Sequence, residues 1–191
     1  MPRPSRKQQS STIIAKVPSY KLSRQAARDR YDSQPWECYE SPVSFASLKT
    51  PSQTAWLYVG NREAPKKFRK FKESYVLSTV EPDGGFELSN DTVDNFEDKD
   101  NMDNAKQCIL SGARKVDAAI RERKRVLVHC AAGMNRSASI CAAYLITYCG
   151  WTPSKAIAHV RHRVEVCREV LDVISNSHFE CILKSLKPGD A

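Results

Sequence analysis

The chain has 191 residues, with 30 lysines and arginines against 22 aspartates and glutamates, and a net charge of +8 at pH 7. This length is enough for one domain with a sizeable core. The seven cysteines have no paired spacing, no N-terminal segment resembles a signal peptide, and no apolar run approaches the length of a membrane span. We therefore expect an intracellular protein of the cytoplasm or nucleus, without a disulfide framework.

The positive charge is concentrated at the N-terminus. Residues 1–30 hold eight basic side chains and one acidic side chain, so their net charge is +7 and the remainder contributes only +1. Prolines and serines in residues 1–20 are typical of disorder, and a short helix is predicted over residues 23–31. We assign residues 1–52 to a basic arm. Such an arm suits contact with nucleic acid, with an acidic partner or with a membrane surface, but also a merely solvated tail.

The folded domain is predicted over residues 53–187, with residues 188–191 as a C-terminal tail. Its first elements are a strand at 56–61, a short basic helix at 64–71 and an apolar strand at 75–80. A strand, a helix and a further strand in succession indicate a parallel sheet. The predicted fold class is therefore α/β, a single domain with a central, mostly parallel sheet flanked by helices.

An acidic segment follows the second strand. Residues 81–104 contain nine acidic side chains and one lysine, a composition that is usually a solvated loop. The next element is a helix at about 105–122, for which Asp103 or Asn104 is the predicted N-cap. Its apolar residues recur at helical spacing, so one face of this helix is expected in the core.

The most informative stretch is Val126–Ser137, with the sequence VLVHCAAGMNRS. Its apolar, β-branched start predicts a buried strand that ends at Cys130, and a helix is predicted from Ser137 to about residue 149. The intervening loop can curl so that its backbone N–H groups point inward and add to the positive end of the helix dipole. The result is a cradle for a tetrahedral dianion, and the same field favours the thiolate of Cys130 over the thiol.

The residue types in this loop fit attack on phosphorus. A thiolate at the floor of an anion-binding loop is a nucleophile, and the planar fork of Arg136 can hold two phosphoryl oxygens. Gly133 stands where a tight loop most needs a positive φ or a close backbone approach. The predicted phosphate-binding residues are Ala131, Ala132, Gly133, Met134, Asn135 and Arg136.

The register of His129, Cys130, Gly133, Arg136 and Ser137 resembles the signature of the cysteine-dependent protein phosphatases. The flanking residues resemble the dual-specificity branch, and the string His-Cys-Ala-Ala-Gly-x-Asn-Arg-Ser is similar to that of the poxvirus dual-specificity phosphatases. The resemblance covers about residues 53–187. It implies an enzyme that hydrolyses phosphotyrosine and phosphoserine or phosphothreonine in proteins through a phosphocysteine intermediate, with no metal and no cofactor.

The resemblance also implies roles and partners. Arg136 and the loop amides would hold the equatorial oxygens, the Ser137 hydroxyl would steady the departing thiolate, and His129 would orient the loop and help to keep Cys130 ionised. No segment resembles the Asn-Arg-Tyr loop that deepens the cleft of tyrosine-only phosphatases, so a shallow pocket is expected. The N-terminal segment of the poxvirus relatives takes part in dimerisation, which makes a homodimer through the arm an expectation here. For a viral member the virion is a further location.

The proton for the leaving group comes, in the resembling enzymes, from an aspartate on the loop before the helix that precedes the signature strand. Asn90-Asp91-Thr92 matches the family's pattern, so Asp91 is the predicted general acid and base. Asp91 precedes Cys130 by 39 residues, several more than is usual in the family, which indicates an insertion around residues 95–104. Asp94 and Asp98 therefore remain alternatives.

The C-terminal third completes the predicted fold. Thr152 and Pro153 are a typical N-cap and first residue of another helix, and residues 175–183 resemble the last element of the family without its proline. His159, His162 and Cys167 lie at spacings that can suggest a metal site. Without a second cluster of ligands they do not make one, and no metal is predicted.

Two functions of other kinds are alternatives to a protein phosphatase. An RNA 5′-triphosphatase of the same superfamily also uses an asparagine before the arginine, and the basic arm would suit RNA. That group typically has Thr-Gly after the arginine, whereas this chain has Ser137-Ala138. The other alternative is a non-catalytic phosphate-binding module, which is disfavoured because such modules generally lack the cysteine.

Overall fold

The computed structural model describes residues 45–48, 57–79, 89–93, 96 and 101–190. The predicted helix over residues 23–31 lies outside these described residues, as does the basic arm apart from residues 45–48. Among the described helices, none combines the length and the apolarity that crossing a membrane requires.

Among the residues that the structure describes, five strands form one sheet in the order β1-β2-β5-β3-β4. They are β1 (Phe45–Ser47), β2 (Leu57–Gly60), β3 (Ser74–Ser78), β4 (Asp91–Thr92) and β5 (Arg125–His129). β1 pairs with β2 in antiparallel orientation, and the other three pairs are parallel. The prediction of a mostly parallel sheet is thus confirmed. Central β5 is a nearly continuous apolar run because both faces of the sheet are covered.

Strand β1 lies within the segment that was predicted as the arm. Phe45 pairs with Gly60, the Leu48 N–H donates to the Leu57 carbonyl at 2.8 Å, and Arg163 Nε donates to the Ser47 carbonyl at 3.1 Å. The sheet therefore includes residues upstream of position 53. A three-residue edge strand is too short to show the alternation by which strands are recognised in a sequence.

In the described part of the chain, five helices surround the sheet: α1 (Ala64–Phe68), α2 (Met102–Arg121), α3 (Arg136–Thr147), α4 (Pro153–Arg168) and α5 (Ser177–Ser185). Helix α2 begins earlier than predicted because Asn101, and not Asp103 or Asn104, is its N-cap. The Asn101 Oδ1 accepts the Asp103 N–H at 2.9 Å. All three residue types are good caps, so composition could not separate them. The predicted cap of α4 is confirmed, since Thr152 Oγ1 accepts the Lys155 N–H at 3.4 Å.

The two faces of the sheet bury cores of unequal size. Val76 and Leu127 pack with Ala64 and Phe68 in a small core beneath α1. The larger core, on the other face, is filled by α2 to α5, with α3 at its centre. Eleven of the twelve residues of α3 are buried, from Ser137 to Thr147. Helix α3 is thus held firmly against the sheet with its first turn at the carboxyl end of β5.

Candidate active site

The candidate nucleophile Cys130 follows β5 directly, and residues 131–135 lead from it to the first turn of α3. Its side chain is 3% exposed. The Sγ atom accepts the Gly133 N–H at 3.1 Å and lies 3.2 Å from the Ser137 Oγ. An amide, a hydroxyl and the positive end of a helix dipole therefore converge on the sulfur.

Gly133 has the conformation that was expected of it. Its φ is +70°, and a Cβ atom built on it would lie 2.4 Å from Arg168 Nη1 and 2.6 Å from the carbonyl of Gly60. Both expectations for this residue, a positive φ and a close backbone approach, are therefore met. A side chain fits there only if both the backbone of Gly60 and the arginine move.

The turn after β2 is joined by backbone hydrogen bonds to the start of the loop that follows Cys130. The Gly60 carbonyl accepts the Cys130 N–H at 3.3 Å, and the Ala131 carbonyl accepts the Arg62 N–H at 3.1 Å. These bonds extend the pairing of β2 with β5 beyond the end of the strands. Cys130 is thus held on the scaffold of the sheet, which positions a side chain more precisely than a free loop.

Arg136, the predicted phosphate ligand, is half-buried at the first position of α3. Its Nη1 donates to the carbonyl of Thr79 at 3.2 Å. Thr79, just after β3, is fully buried, and both its N–H and its Oγ1 donate to the His129 carbonyl, at 3.1 and 3.2 Å. The guanidinium is thereby held at the carboxyl edge of the sheet, beside the loop. No pattern in the sequence predicts this role of Thr79.

The last two loop residues are buried and act as anchors. Asn135 Oδ1 accepts the N–H groups of Ser175 and Asn176, at 2.9 and 3.3 Å, and the Met134 carbonyl accepts the Ile174 N–H at 3.0 Å. Both residues were predicted only as part of the phosphate cradle. The structure ties them in addition to the segment between α4 and α5.

Arg168, the last residue of α4, is the clearest contributor that the sequence did not reveal. It is fully buried, and its Nη1 donates to the carbonyls of Ala132 and Gly133, at 3.0 and 2.8 Å. Burial lowers the pKa of Arg168, and the negative charge of Cys130 opposes this effect. In the sequence, an arginine at the end of a helix is explained by its favourable interaction with the negative end of the helix dipole, so its contact with the loop is not predicted.

His129 is buried beside the nucleophile. Burial lowers its pKa to about 4, against the opposing effect of a hydrogen bond with the backbone of Cys130. The imidazole is therefore neutral near pH 7 and adds no positive charge beside Cys130. Its contact with the loop backbone is compatible with the orienting role that was predicted.

This low pKa predicts that stability depends on pH. Between its unfolded value of 6.5 and its folded value of about 4, His129 binds more protons in the unfolded chain than in the folded protein. The free energy of unfolding should therefore fall as the pH drops through this window, with about 3 kcal/mol lost through this residue. Urea unfolding at pH 7 and pH 4 should show that His129→Gln loses less stability than the wild type by about that amount. Equal losses in the two proteins would contradict the prediction.

Asp91, the predicted general acid, is bound by neighbours on three sides. Its Oδ1 accepts Lys115 Nζ at 2.7 Å and the Thr92 N–H at 2.8 Å, and its Oδ2 accepts the Tyr75 hydroxyl at 3.0 Å. Partial burial acts to raise the pKa of Asp91, but these hydrogen bonds outweigh it and the pKa lies below its ordinary value. In this conformation the carboxylate is ionised and held to α2.

The register places Asp91 short of the sheet edge at which Cys130 lies. Asp91 pairs with Leu77, and Leu77 pairs with Val128, two residues before the nucleophile. The alternatives Asp94 and Asp98 lie outside the described residues. The assignment of the general acid therefore stays a prediction.

The potential metal ligands on α4 do not converge on a site. The ring of His159 packs edge-on against Trp151, with 5.1 Å between the ring centroids. Within the ranges that the structure describes, no group of three or more histidine, cysteine, aspartate or glutamate side chains could hold a metal ion.

Comparisons with curated proteins find phosphatases. A stretch of 67 residues is 39% identical to human phosphatidylglycerophosphatase and protein-tyrosine phosphatase 1, covering 34% of this chain and 33% of that protein. A stretch of 130 residues is 33% identical to the Xenopus laevis protein phosphatase Slingshot homolog, covering 65% of this chain and 19% of that protein. The chain thus spans a third or less of the length of these relatives.

Solved structures share the fold. Human DUSP28 superposes with a TM-score of 0.57 at 22% identity, covering 76% of this chain and 95% of that chain. The Orf virus tyrosine phosphatase OH1 superposes with a TM-score of 0.51 at 17% identity, covering 78% and 92%. At such identities the likeness concerns the fold alone.

A family comparison covers more than half of the chain. Residues 67–176 match the family described as dual specificity phosphatase, catalytic domain. This range includes the cysteine, the loop and the arginine whose geometry is given above. The chain therefore belongs to the dual-specificity phosphatase catalytic domain family.

Proposed function

We propose that this protein is a metal-independent dual-specificity phosphatase that hydrolyses phosphotyrosine and phosphoserine or phosphothreonine in proteins. The observation that carries the proposal is the environment of Cys130 Sγ, which accepts the Gly133 amide at 3.1 Å at the N-terminus of α3. The buried sulfur, the loop amides and Arg136 together form a nucleophile beneath an anion site. Membership of the family supports the same chemistry.

In the first step the Cys130 thiolate attacks phosphorus and the bond from phosphorus to the serine, threonine or tyrosine oxygen breaks. The loop amides and Arg136 stabilise the charge on the equatorial oxygens, and a carboxylic acid protonates the leaving oxygen. In the second step water attacks the phosphocysteine, the same carboxylate takes the proton of the water, and the thiolate leaves. Ser137 Oγ, 3.2 Å from Sγ, stabilises that thiolate by a hydrogen bond.

The proposal is tested by phosphate release at about pH 6.5 from a phosphotyrosine peptide, a phosphothreonine peptide and triphosphate-ended RNA, with and without EDTA. We expect turnover of both peptides, no loss on chelation and little release from the RNA. Release from RNA alone would assign the chain to the RNA triphosphatases instead. Binding of phosphopeptide without turnover would indicate a non-catalytic module.

The general acid is a separate part of the proposal. Asp91 can act as the acid only if its carboxylate leaves Lys115 and Tyr75, because an ionised carboxylate has no proton to give. We expect Asp91→Asn to lower kcat for a phosphotyrosine peptide by about 10²-fold and to leave an aryl phosphate with a strongly acidic phenol nearly unaffected. Such a leaving group needs no proton, so the contrast separates chemistry from misfolding.

Asp94→Asn is the matched comparison, because it removes the same charge three residues further along the same segment. If the selective loss appears in Asp94→Asn and not in Asp91→Asn, the acid is Asp94. An equal loss on both substrates in Asp91→Asn would make its bonds with Lys115 and Tyr75 structural ones.

The proposed partners follow from the proposed activity and from the predicted basic arm. Phosphoprotein substrates follow from the proposed activity. Homodimerisation through the basic arm and contact of the arm with nucleic acid stay predictions, since residues 1–44 lie outside the described part of the chain.

A further inference from the structure

Arg168 and Cys130 lie on opposite ends of one peptide group. The Ala132 carbonyl accepts Arg168 Nη1 at 3.0 Å, and the N–H of the same peptide, which belongs to Gly133, donates to Cys130 Sγ at 3.1 Å. The peptide is trans, so its carbonyl and its N–H point in opposite directions. A cation on the carbonyl side thus orients and polarises an amide that faces the sulfur.

The next peptide is held in the same way. The Gly133 carbonyl accepts the same Nη1 atom at 2.8 Å, so the N–H of that peptide, which belongs to Met134, points away from Arg168. Two successive loop carbonyls are therefore fixed on the protein side by one side chain. Their amides are left for the side on which the anion would bind.

We propose that Arg168 is a positioning residue, which holds the Ala132–Gly133 and Gly133–Met134 peptides with their amides toward the site and stabilises the Cys130 thiolate through the first of them. This inference rests on the proposed function and deepens it. The role assigned to Arg168 acts through the two peptides to which it donates.

The electrostatics around the sulfur favour this role. Cys141 on α3 and Arg168 on α4 interact electrostatically with Cys130, and His129 is its neighbour at the end of β5. The histidine is neutral near pH 7, and burial, together with the charge of Cys130, raises the pKa of the Cys141 thiol, so neither adds positive charge. Arg136 donates to the Thr79 carbonyl. Arg168 has no exposed surface, and hydrogen bonds in the low-dielectric interior of a protein are electrostatically stronger than in water.

The backbone after Arg168 is shaped around the same loop. Glu169, Asp172 and Ile174 all adopt left-handed φ values, of 55°, 62° and 54°. Each costs on the order of 1 kcal/mol for a residue with a side chain, and such strain persists only where the surroundings fix it. Here Ile174 donates its N–H to the Met134 carbonyl. The strained segment after α4 and the buried side chain of Arg168 thus both contact the loop between Cys130 and Arg136.

The test compares Arg168→Met, Arg168→Lys and the control Arg163→Met. Arg163 is a matched control because it also lies on α4 and also donates to a backbone carbonyl, that of Ser47, but not in the loop. The first readout is the pH dependence of alkylation of Cys130 by iodoacetamide, followed by mass spectrometry, which needs no phosphatase activity. The second is kcat and KM for a phosphotyrosine peptide, and urea unfolding checks that each variant is folded.

We expect Arg168→Met to move the midpoint of alkylation upward by about one pH unit, because a cation that favours the thiolate is lost. We also expect kcat/KM to fall by about 10²-fold, mainly through kcat, because the amides lose their orientation. Arg168→Lys keeps the positive charge but lacks the planar guanidinium that donates to the two loop carbonyls. It should keep the midpoint near the wild-type value and still lose about 10-fold in kcat.

A folded Arg168→Met protein with the wild-type midpoint and the wild-type kcat would overturn the inference. If Arg168→Met does not fold, Arg168→Lys decides, and an unchanged kcat in that variant would overturn it. A shifted midpoint in a chain whose wild type turns over no phosphopeptide would support the role of Arg168 while the proposed function fails. The two failures are therefore distinguishable.

Discussion

Cys130→Ser should lower kcat for a phosphotyrosine peptide by on the order of 10⁵-fold, the largest effect of any single substitution in this chain. In the proposed mechanism the thiolate is the nucleophile. A serine hydroxyl in the same place stays protonated, because the field of nearby amides and a helix N-terminus is too weak to ionise an alcohol. Since serine is nearly isosteric with cysteine, we expect the variant to keep its fold and to bind phosphopeptide. The measurements are single-turnover phosphate release and fluorescence anisotropy with a labelled phosphopeptide.

Cys181→Ser is the control for this substitution. The same substitution of cysteine by serine is made here at an exposed position of α5. Its substitution should leave both turnover and binding at the wild-type values. Turnover by Cys130→Ser at more than a small fraction of the wild-type rate would mean that another group attacks phosphorus, and the proposed mechanism would fail.

Gly133→Ala should damage both folding and catalysis. The added methyl group would meet backbone of the neighbouring strand at 2.6 Å and Arg168 Nη1 at 2.4 Å, on a residue whose φ is +70°. We expect the free energy of unfolding to fall by about 3 kcal/mol, from left-handed strain together with overpacking. Displacement of the loop should also lower kcat/KM by about 10²-fold or more. Urea unfolding and steady-state kinetics measure the two effects.

Gly150→Ala separates strain from steric contact. Gly150 has nearly the same φ, +69°, but a Cβ atom there would meet nothing within 4 Å. Its substitution should therefore cost only the left-handed strain, about 1 kcal/mol, and leave kcat/KM unchanged. Equal losses of stability in the two variants would show that the close approach of Gly60 and Arg168 to the loop carries no energetic weight.

The parts of the site that could be predicted are those formed by neighbours in the sequence. Cys130, Gly133 and Ser137 come together because a buried strand, a tight turn and a helix follow one another without interruption, and each has a local pattern. The same locality explains why the mostly parallel sheet and the capped helix at Thr152 were predictable. For these features, sequence spacing and spatial proximity coincide.

The parts that could not be predicted depend on contacts between distant segments. Arg168 reaches the loop only because the end of α4 packs behind it, and Thr79 only because β3 lies next to β5. The ion pair of Asp91 with Lys115 likewise joins positions 24 residues apart. A pattern of residue types predicts that an aspartate is available, but not which partner its carboxylate finds.

The burial of α3 determines how the protein would respond to destabilising substitutions in distant parts of the core. A helix with eleven of twelve residues buried cannot detach without opening the core, so the loop at its N-terminus is lost only in the cooperative unfolding of the domain. A substitution in a distant part of the core would then reduce the number of active molecules and leave the KM of the folded ones unchanged. Inherited or engineered losses of about 1–2 kcal/mol in stability would therefore act on the abundance of the protein in the cell, and not on the chemistry of each molecule.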